Sequence, residues 1–335
     1  MIHTEEFQNY LQSSDFLVPL GLPTGTELTF SPLGQGEYNL NYTFSHPVMN
    51  QKLVLRINRG SQMHLSDQIG YEFSALRNLE ASGRTPKALF CDSSMNCLVM
   101  EYLPGRALRY ETDLAIGAEI LADIHAVDIP GDCRLIEPEN PLEAIIDECR
   151  QMVSHYYSWE DADPQVARLL ETLEKEISAK DLSAPAGTRK CIVNTEVNSG
   201  NFLVNPGGTS YLVDWEKPLI SEPAQDLGHF LVPTTTFWKT DVILNQEDIR
   251  YFADCYKKSV AGRFETASVD QRLPLYFTVT CLRGVTWSAM AYREYCQPGR
   301  DLRNADTFKK LKAYLQPDFL ENLLKNYVRR DFLKG

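Results

Sequence analysis

The chain has 335 residues, of which 43% are hydrophobic and 23% charged, as in soluble globular proteins and unlike disordered or fibrous chains. Its 33 basic and 45 acidic residues give a formal net charge of -12, which argues against a general electrostatic grip on nucleic acid. The acidic balance suits a cationic small substrate, but it equally serves solubility.

The length predicts two domains or one domain with two lobes. The first residues contain no basic segment followed by an apolar one, and no window approaches about eighteen consecutive apolar residues. We therefore expect a cytoplasmic protein with no membrane partner. The eight cysteines are scattered singly, so neither a zinc site nor a disulfide framework is expected.

Residues 27–58 alternate in the manner of strands and predict a three-stranded antiparallel meander, with its first strand at 28–30. Gly34 and Gly36 lie between the first two strands. Because a strand follows them, a Rossmann turn or a Walker loop is disfavoured, since both need a helix N-terminus for the phosphate. The two glycines either fold over a nucleotide or serve only the geometry of the turn.

The third strand carries Arg56, and the helix predicted over 66–82 carries Glu72. An arginine fork suits phosphate oxygens, and Glu72 could hold it in place. The alternative is an exposed arginine and a solvated helical glutamate.

Two more strands are predicted at 88–92 and 97–102, and Pro104 and Gly105 follow as a linker. We therefore expect an N-terminal nucleotide-binding lobe at 1–103 and a helical lobe at 104–335. The backbone of Glu101, Tyr102 and Leu103 leaves the sheet and could bind the edge of a nucleotide base, although any buried strand leaving a sheet looks similar.

The C-terminal two thirds are predicted to be mostly α-helical, with one small β insertion in a hairpin at 190–216. The predicted helices cover residues 112–126, 140–158, 164–179, 223–232, 246–261, 271–294 and 317–332.

The hairpin carries an acid, Glu196, an amide five residues later, Asn201, and a third strand that ends in Asp214. In phosphoryl transfer, one carboxylate accepts the proton of the attacking hydroxyl, while an amide and a second carboxylate hold Mg²⁺. Acidic residues at 147, 148, 160, 161 and 163 could form a wall for a cationic substrate or simply a solvated face.

Taken in this order, the segments resemble the aminoglycoside phosphotransferase and choline kinase family, the small-molecule branch of the protein-kinase-like fold. The resemblance covers about residues 28–235. The family's loop reads His-Gly-Asp-Leu-His-x-Gly-Asn, and this chain matches it at Gly200 and Asn201. Asp214 looks like the family's metal-binding aspartate, and Asp226 resembles the aspartate that buttresses the loop. The segment that ends at His125 is similar to the family's Leu-x-x-Leu-His helix end.

Two departures fall on the loop itself, because Glu196 replaces the family's aspartate and Asn194 its histidine. The extra methylene moves the carboxylate by roughly 1.5 Å, and a misplacement of about 1 Å can cost on the order of 100-fold in rate. Phosphoryl transfer depends mostly on positioning and charge neutralisation, so a glutamate could still serve. A working kinase and a pseudokinase that binds nucleotide or a protein partner therefore both remain open.

The resemblance implies an α+β fold with two lobes: a five-stranded antiparallel sheet with one helix, and a mostly helical C-terminal lobe. It implies ATP- or GTP-dependent phosphorylation of a hydroxyl on a small molecule, such as an amino sugar or amino alcohol. Glu196 would act as the base and Asn201 and Asp214 would hold Mg²⁺. Arg56, set by Glu72, would bind phosphates. The sequence predicts no oligomeric state.

Overall fold

A computed structural model describes residues 4–35, 38–297 and 304–330. Its five-stranded antiparallel sheet has the order β1-β2-β3-β5-β4, which confirms the predicted sheet. The first strand begins at Ser31, so the predicted strand at 28–30 was wrong. The strands are β1 (Ser31–Gln35), β2 (Asn39–His46), β3 (Gln51–Asn58), β4 (Ala88–Asp92) and β5 (Cys97–Glu101).

Alternation along β3 gives the sheet two buried faces. Leu53, Leu55 and Ile57 point to a cluster that includes residues of α1 (Glu5–Leu11) and α2 (Ser14–Leu17). Val54 belongs to the main core on the opposite face, where α3 (Gln68–Leu79) also packs. Because side chains two residues apart share a face, Arg56 is presented on the side of Val54 and α3.

The remainder is mostly helical, as predicted. Several helices begin at side-chain caps: Asn140, Asp163 and Asn245 each accept backbone N–H groups of the first turn. The helices are α4 (Leu114–His125), α5 (Pro141–Tyr157), α6 (Pro164–Ser178), α7 (Pro223–Leu231), α8 (Pro233–Lys239), α9 (Gln246–Val260), α10 (Ala267–Cys296), α11 (Ala305–Tyr314) and α12 (Pro317–Leu323).

Two of these helices, α8 and α11, were not predicted. The helix predicted over 317–332 ends as an α-helix at Leu323 and continues as a single π turn, Leu324–Val328. The 30-residue helix α10 packs against α5 and α7 and lies at the centre of the helical region.

The predicted single hairpin at 190–216 was wrong in its pairing. Strand β7 (Cys191–Val193) pairs with β10 (Leu219–Ser221), which lies beyond the predicted hairpin. Strand β8 (Phe202–Val204) pairs with β9 (Tyr211–Leu212) and with β6 (Arg106–Ala107). The third strand therefore ends two residues before Asp214, and the polar turn lies between two small sheets.

The linker after β5 passes close to this turn. A Cβ atom added to Gly105 would lie 2.7 Å from Leu203 Cβ, and Gly105 has a φ of 150°, so the close approach requires glycine. Within the described part of the chain, none of the helices combines the length and apolar composition that crossing a membrane requires.

Candidate active site

Arg56 joins the sheet to the segment that carries Asp214. Its Nη1 donates to Glu72 Oε1 at 2.6 Å and to Asp214 Oδ1 at 3.2 Å, and its Nε donates to Asn41 Oδ1 at 3.1 Å. Arg56 and Glu72 are only 7% and 1% exposed. The structure thus places the predicted pair together and brings it to Asp214, and a buried pair of this kind depends on both partners.

Three carboxylates converge beside this arginine. Ligand oxygens of Glu196, Asp214 and Glu216 all lie within 4.8 Å of one another. Asn39 Nδ2 donates to Glu216 Oε2 at 2.5 Å, and Gln68 Nε2 donates to the Glu216 carbonyl at 2.6 Å. Burial, and then the neighbouring Asp214 and Glu196, raise the pKa of Glu216 to about 7.

This cluster fits a hard divalent cation. Carboxylate oxygens are the donors that Mg²⁺ takes in proteins, and Glu196, Asp214 and Glu216 bring three such groups to one point. Sequence reasoning expected Asp214 here but missed Glu216, although the spacing Asp214-Trp-Glu216 was visible. The Asn201 amide donates to the Glu196 carbonyl at 2.8 Å, next to the cluster.

Asp226 is the anchor of the polar turn. Its two carboxylate oxygens accept the backbone N–H groups of Asn194 and Thr195 at 2.8 and 2.9 Å. His125 Nε2 lies 3.3 Å from Asp226 Oδ2, and its Nδ1 lies 2.9 Å from the hydroxyl of Tyr256. Asp226 and His125 are both fully buried, so these polar groups compensate one another.

Asn194 connects the turn to the segment that carries Asp214. Its Nδ2 donates to the Asp214 carbonyl at 2.9 Å, and its Oδ1 accepts the backbone N–H of Glu196 at 3.0 Å. The side chain is fully buried. An asparagine can make both contacts at once because its amide is both donor and acceptor.

Two residues at this place have a strained backbone. Thr195 and Asp214 adopt φ values of 67° and 66°, the left-handed region that β-branched residues in particular avoid. Thr195 stands where the family loop carries glycine. It is held there by the N–H bond to Asp226 and by its hydroxyl, which donates to the Lys217 carbonyl at 2.8 Å.

Glu196 has a cationic partner that sequence reasoning also missed. Lys217 Nζ forms an ion pair with Glu196 Oε1 and donates to Gln62 Oε1 at 2.5 Å. Gln62 lies between β3 and α3, so the lysine connects the polar turn to the sheet region. The sequence Glu216-Lys217-Pro218 gave no spacing pattern that would have marked it.

The residues predicted to bind the nucleotide lie along the sheet. Gly34 lies in β1 with open space where a Cβ would stand, and Gly36 falls outside the described residues. The N–H groups of Glu101 and Tyr102 already bond to the carbonyls of Lys87 and Lys52, at 2.9 and 3.2 Å.

The turn opens onto a cavity of about 1420 Å³. Trp238 and Trp287 line it in an edge-to-face pair, with ring centroids 5.1 Å apart. Thr234, Thr280 and Ser288 add hydroxyl groups to the wall. The cavity therefore offers aromatic surface and hydroxyl groups next to the acidic cluster.

The charged groups of the cavity are partly paired. Arg283 Nε donates to Glu148 Oε2 at 2.9 Å, so Glu148 is not the free carboxylate of a cationic-substrate wall. Asp147 pairs instead with Arg150, and Asp163 caps α6. Burial, followed by the nearby Arg283 and Lys217, lowers the pKa of His229 to about 3.

These features define a class of protein. A five-stranded antiparallel sheet with one helix is followed by a helical region, and a buried Arg-Glu pair meets an acidic cluster at a strained polar turn. This is the architecture of a phosphotransferase with a kinase-like fold.

The chain belongs to the phosphotransferase enzyme family, whose model matches residues 29–258. Members of this family are small-molecule kinases that act on hydroxyl groups.

Solved structures are similar to it over nearly its whole length. An ethanolamine kinase from Plasmodium vivax is 15% identical with a TM-score of 0.63, and the match covers 95% of this chain and 91% of that one. A choline/ethanolamine kinase family protein from Mesorhizobium loti is 20% identical, with a TM-score of 0.56 and coverage of 88% and 91%. A spectinomycin phosphotransferase in complex with ADP and spectinomycin is 15% identical, with a TM-score of 0.58 and coverage of 89% and 92%. At these identities the similarity shows the fold.

Proposed function

We propose that this protein transfers the γ-phosphoryl group of ATP or GTP to a hydroxyl of a small molecule. The observation that carries the proposal is the meeting of Arg56, Glu72 and Asp214 beside the cluster of Glu196, Asp214 and Glu216. Arg56 and Glu72 serve the phosphates, Asp214 and Glu216 hold the metal, and Glu196 faces the acceptor. Phosphoryl transfer needs little more than such positioning and charge neutralisation.

Each residue has a proposed role. Arg56, oriented by Glu72, binds the α and β phosphates, and residues 1–103 form the nucleotide-binding lobe. Asp214 and Asn201 hold Mg²⁺, and we add Glu216 to this set. The metal, when bound, neutralises the phosphate oxygens. Asn194 and Asp226 support the turn.

Further residues position the nucleotide and its acceptor. Gly34 and Gly36 cover the phosphates. The base lies against 101–103, where Leu103 is the proposed N–H donor because those of Glu101 and Tyr102 are already bonded within the protein. Glu196 orients the acceptor hydroxyl and takes its proton.

The acceptor lies in the cavity beside Glu196. Amino sugars and amino alcohols are the first candidates, because an organic cation can stack on Trp238 or Trp287. The ethanolamine kinase and the spectinomycin phosphotransferase among the similar structures support the same choice.

The experiment is thermal unfolding with Mg²⁺ and ATP, GTP or no nucleotide, on wild type, Asp214→Ala and Glu196→Ala. ADP or GDP release is followed over a panel of amino alcohols, amino sugars and sugars. A ligand at 100 times its Kd stabilises the folded state by about 2.7 kcal/mol. We expect wild type to be stabilised and to turn over, and Glu196→Ala to be stabilised without turnover.

We expect Asp214→Ala to lose most of the stabilisation by Mg²⁺-nucleotide. If no nucleotide shifts the unfolding of wild type, the proposed nucleotide site is wrong. If wild type is stabilised and Glu196→Ala turns over at the wild-type rate, the role of Glu196 is wrong. Stabilisation with no turnover on any acceptor would favour a nucleotide-binding pseudokinase.

A further inference from the structure

Lys217 places a positive charge at the boundary between the acidic cluster and the acceptor cavity. Its Nζ is paired with Glu196 Oε1, and the cluster oxygens of Glu196 and Asp214 lie within 4.8 Å of each other. Lys217, Glu196 and Asp214 all line the same cavity. Only 13% of the Lys217 side chain is exposed, so its charge is only weakly screened by water.

The backbone at Lys217 and at the residue after it is fixed. Its carbonyl accepts the Thr195 hydroxyl at 2.8 Å, and the carbonyl of the following Pro218 accepts the hydroxyl of Tyr71, on α3, at 2.7 Å. Strand β10 begins at the next residue. The lysine side chain therefore starts from a backbone position held by both the polar turn and the sheet region. A group that must meet a reacting atom requires such fixed placement.

The transferred group needs a cation at this point. A phosphoryl group transferred to a hydroxyl at Glu196 lies beside the carboxylates of Glu196, Asp214 and Glu216, and negative charge spreads over its own oxygens. Arg56 is assigned to the α and β phosphates and is also bonded to Glu72, Asn41 and Asp214, so the γ phosphate needs a further cation. Lys217 is the cation paired with Glu196, and an ammonium on a flexible stem can exchange one oxygen partner for another.

We propose that Lys217 binds the γ-phosphoryl group of the nucleotide and in doing so releases the Glu196 carboxylate for the acceptor. The inference rests on the proposed function. The acceptor oxygen bonds to the γ phosphorus as the bond from that phosphorus to the β–γ bridging oxygen breaks. The electron pair leaves with the nucleoside diphosphate, and the hydroxyl proton passes to Glu196. Before the nucleotide binds, the Lys217 ammonium holds the Glu196 carboxylate. The extra methylene of Glu196 lets the carboxylate reach that ammonium.

The test compares Kd values for Mg²⁺-ATP and Mg²⁺-ADP, because only ATP carries the γ phosphate. Titration calorimetry is performed on wild type, Lys217→Met and Lys217→Arg, without acceptor. Lys257→Met is the control, since Lys257 pairs with Asp254 and Asp270 on the surface and its loss also removes one charge. Circular dichroism and thermal unfolding establish that each variant is folded.

Loss of a charge-assisted hydrogen bond to the γ phosphate should weaken ATP binding by about 10-fold or more in Lys217→Met. Binding of ADP should change by less than about 3-fold, and Lys217→Arg should keep most of the preference for ATP. Equal losses for ATP and ADP, or no loss, would overturn the inference while leaving the proposed function standing. If wild type binds neither nucleotide, the proposed function itself fails. If Lys217→Met is unfolded, Lys217→Arg decides. Tighter binding of ATP than of ADP by Lys217→Arg supports the inference, and equal binding of the two nucleotides overturns it.

Discussion

Asp226→Asn tests whether the buried carboxylate of Asp226 holds the polar turn in place. Asp226 is fully buried and accepts two backbone N–H groups, from Asn194 and Thr195, at 2.8 and 2.9 Å. Asparagine has the same shape, but it replaces one acceptor oxygen with an NH₂ donor. One N–H then faces another donor and has no partner.

The expected loss of stability follows from replacing one carboxylate oxygen of Asp226. A hydrogen bond to a charged group contributes about 1.5–3 kcal/mol, and a buried unsatisfied group costs about 1–3 kcal/mol. We expect the free energy of unfolding to fall by about 3 kcal/mol or more. With about 2.1 cal/mol/K per residue over 335 residues, 3 kcal/mol lowers Tm by about 4 °C.

Urea unfolding at pH 7.5 and calorimetric Tm measure the loss. The control is Asp254→Asn, which removes a carboxylate from a side chain that is 75% exposed and paired with Lys257 three residues on. Its effect should stay within about 0.5 kcal/mol. If Asp226→Asn also stays within about 1 kcal/mol of wild type, the turn does not depend on Asp226 and our reasoning about the anchor is wrong.

Three further predictions concern neighbouring residues. Thr195→Gly and Thr195→Ala both lose the hydrogen bond from the Thr195 hydroxyl to the Lys217 carbonyl, but only glycine relieves the left-handed backbone strain. Urea unfolding should therefore find Thr195→Ala less stable than Thr195→Gly by about 1 kcal/mol. Equal stabilities would show that the backbone at Thr195 is not strained. Glu72→Ala leaves Arg56 buried with Asp214 as its remaining carboxylate, so we expect a loss of about 3 kcal/mol in the same assay, and a loss below about 1 kcal/mol would show that the pair is not needed. The pKa of His229 is lowered to about 3, so as pH falls below about 6.5 this histidine takes up a proton in the unfolded chain but not in the folded one. The contribution of His229 to the free energy of unfolding is therefore complete above about pH 6.5. It is lost as pH falls, by at most about 1.4 kcal/mol per pH unit. His229→Gln should therefore have a shallower loss of the urea midpoint between pH 7.5 and 5, and an unchanged slope would contradict the assignment.

The sequence predicted the sheet and most of the helices because their patterns are local. Alternation along β3 and the spacing in α3 identified both elements, and with them the partnership of Arg56 and Glu72. Helix α8 was missed because its run Thr234-Thr-Thr236 disfavours a helix by propensity, and packing overrides that preference. Helix α11 carried a usable pattern that was overlooked, with Asn304 as its cap.

The pairing around the turn was not predictable in the same way. Strand β7 pairs with β10, about twenty-five residues later, and three residues such as Cys191–Val193 carry too little pattern to choose a partner. Glu216 and Lys217 bond to side chains far along the chain, Asn39 and Gln62. Such contacts follow from the tertiary arrangement, and residue spacing does not show them.

We propose that Glu196 is the acid-base residue of this phosphotransferase. The most direct measurement is a single-turnover transfer of labelled γ-phosphate to an acceptor that wild type uses, in wild type and Glu196→Gln, with both saturated by Mg²⁺-ATP. Glutamine keeps the size of the side chain but cannot take the proton, and general base catalysis contributes about 100- to 10,000-fold. We predict that Glu196→Gln binds ATP within about 3-fold of wild type and transfers phosphate at least about 100-fold more slowly. Transfer at the wild-type rate by Glu196→Gln would contradict the claim.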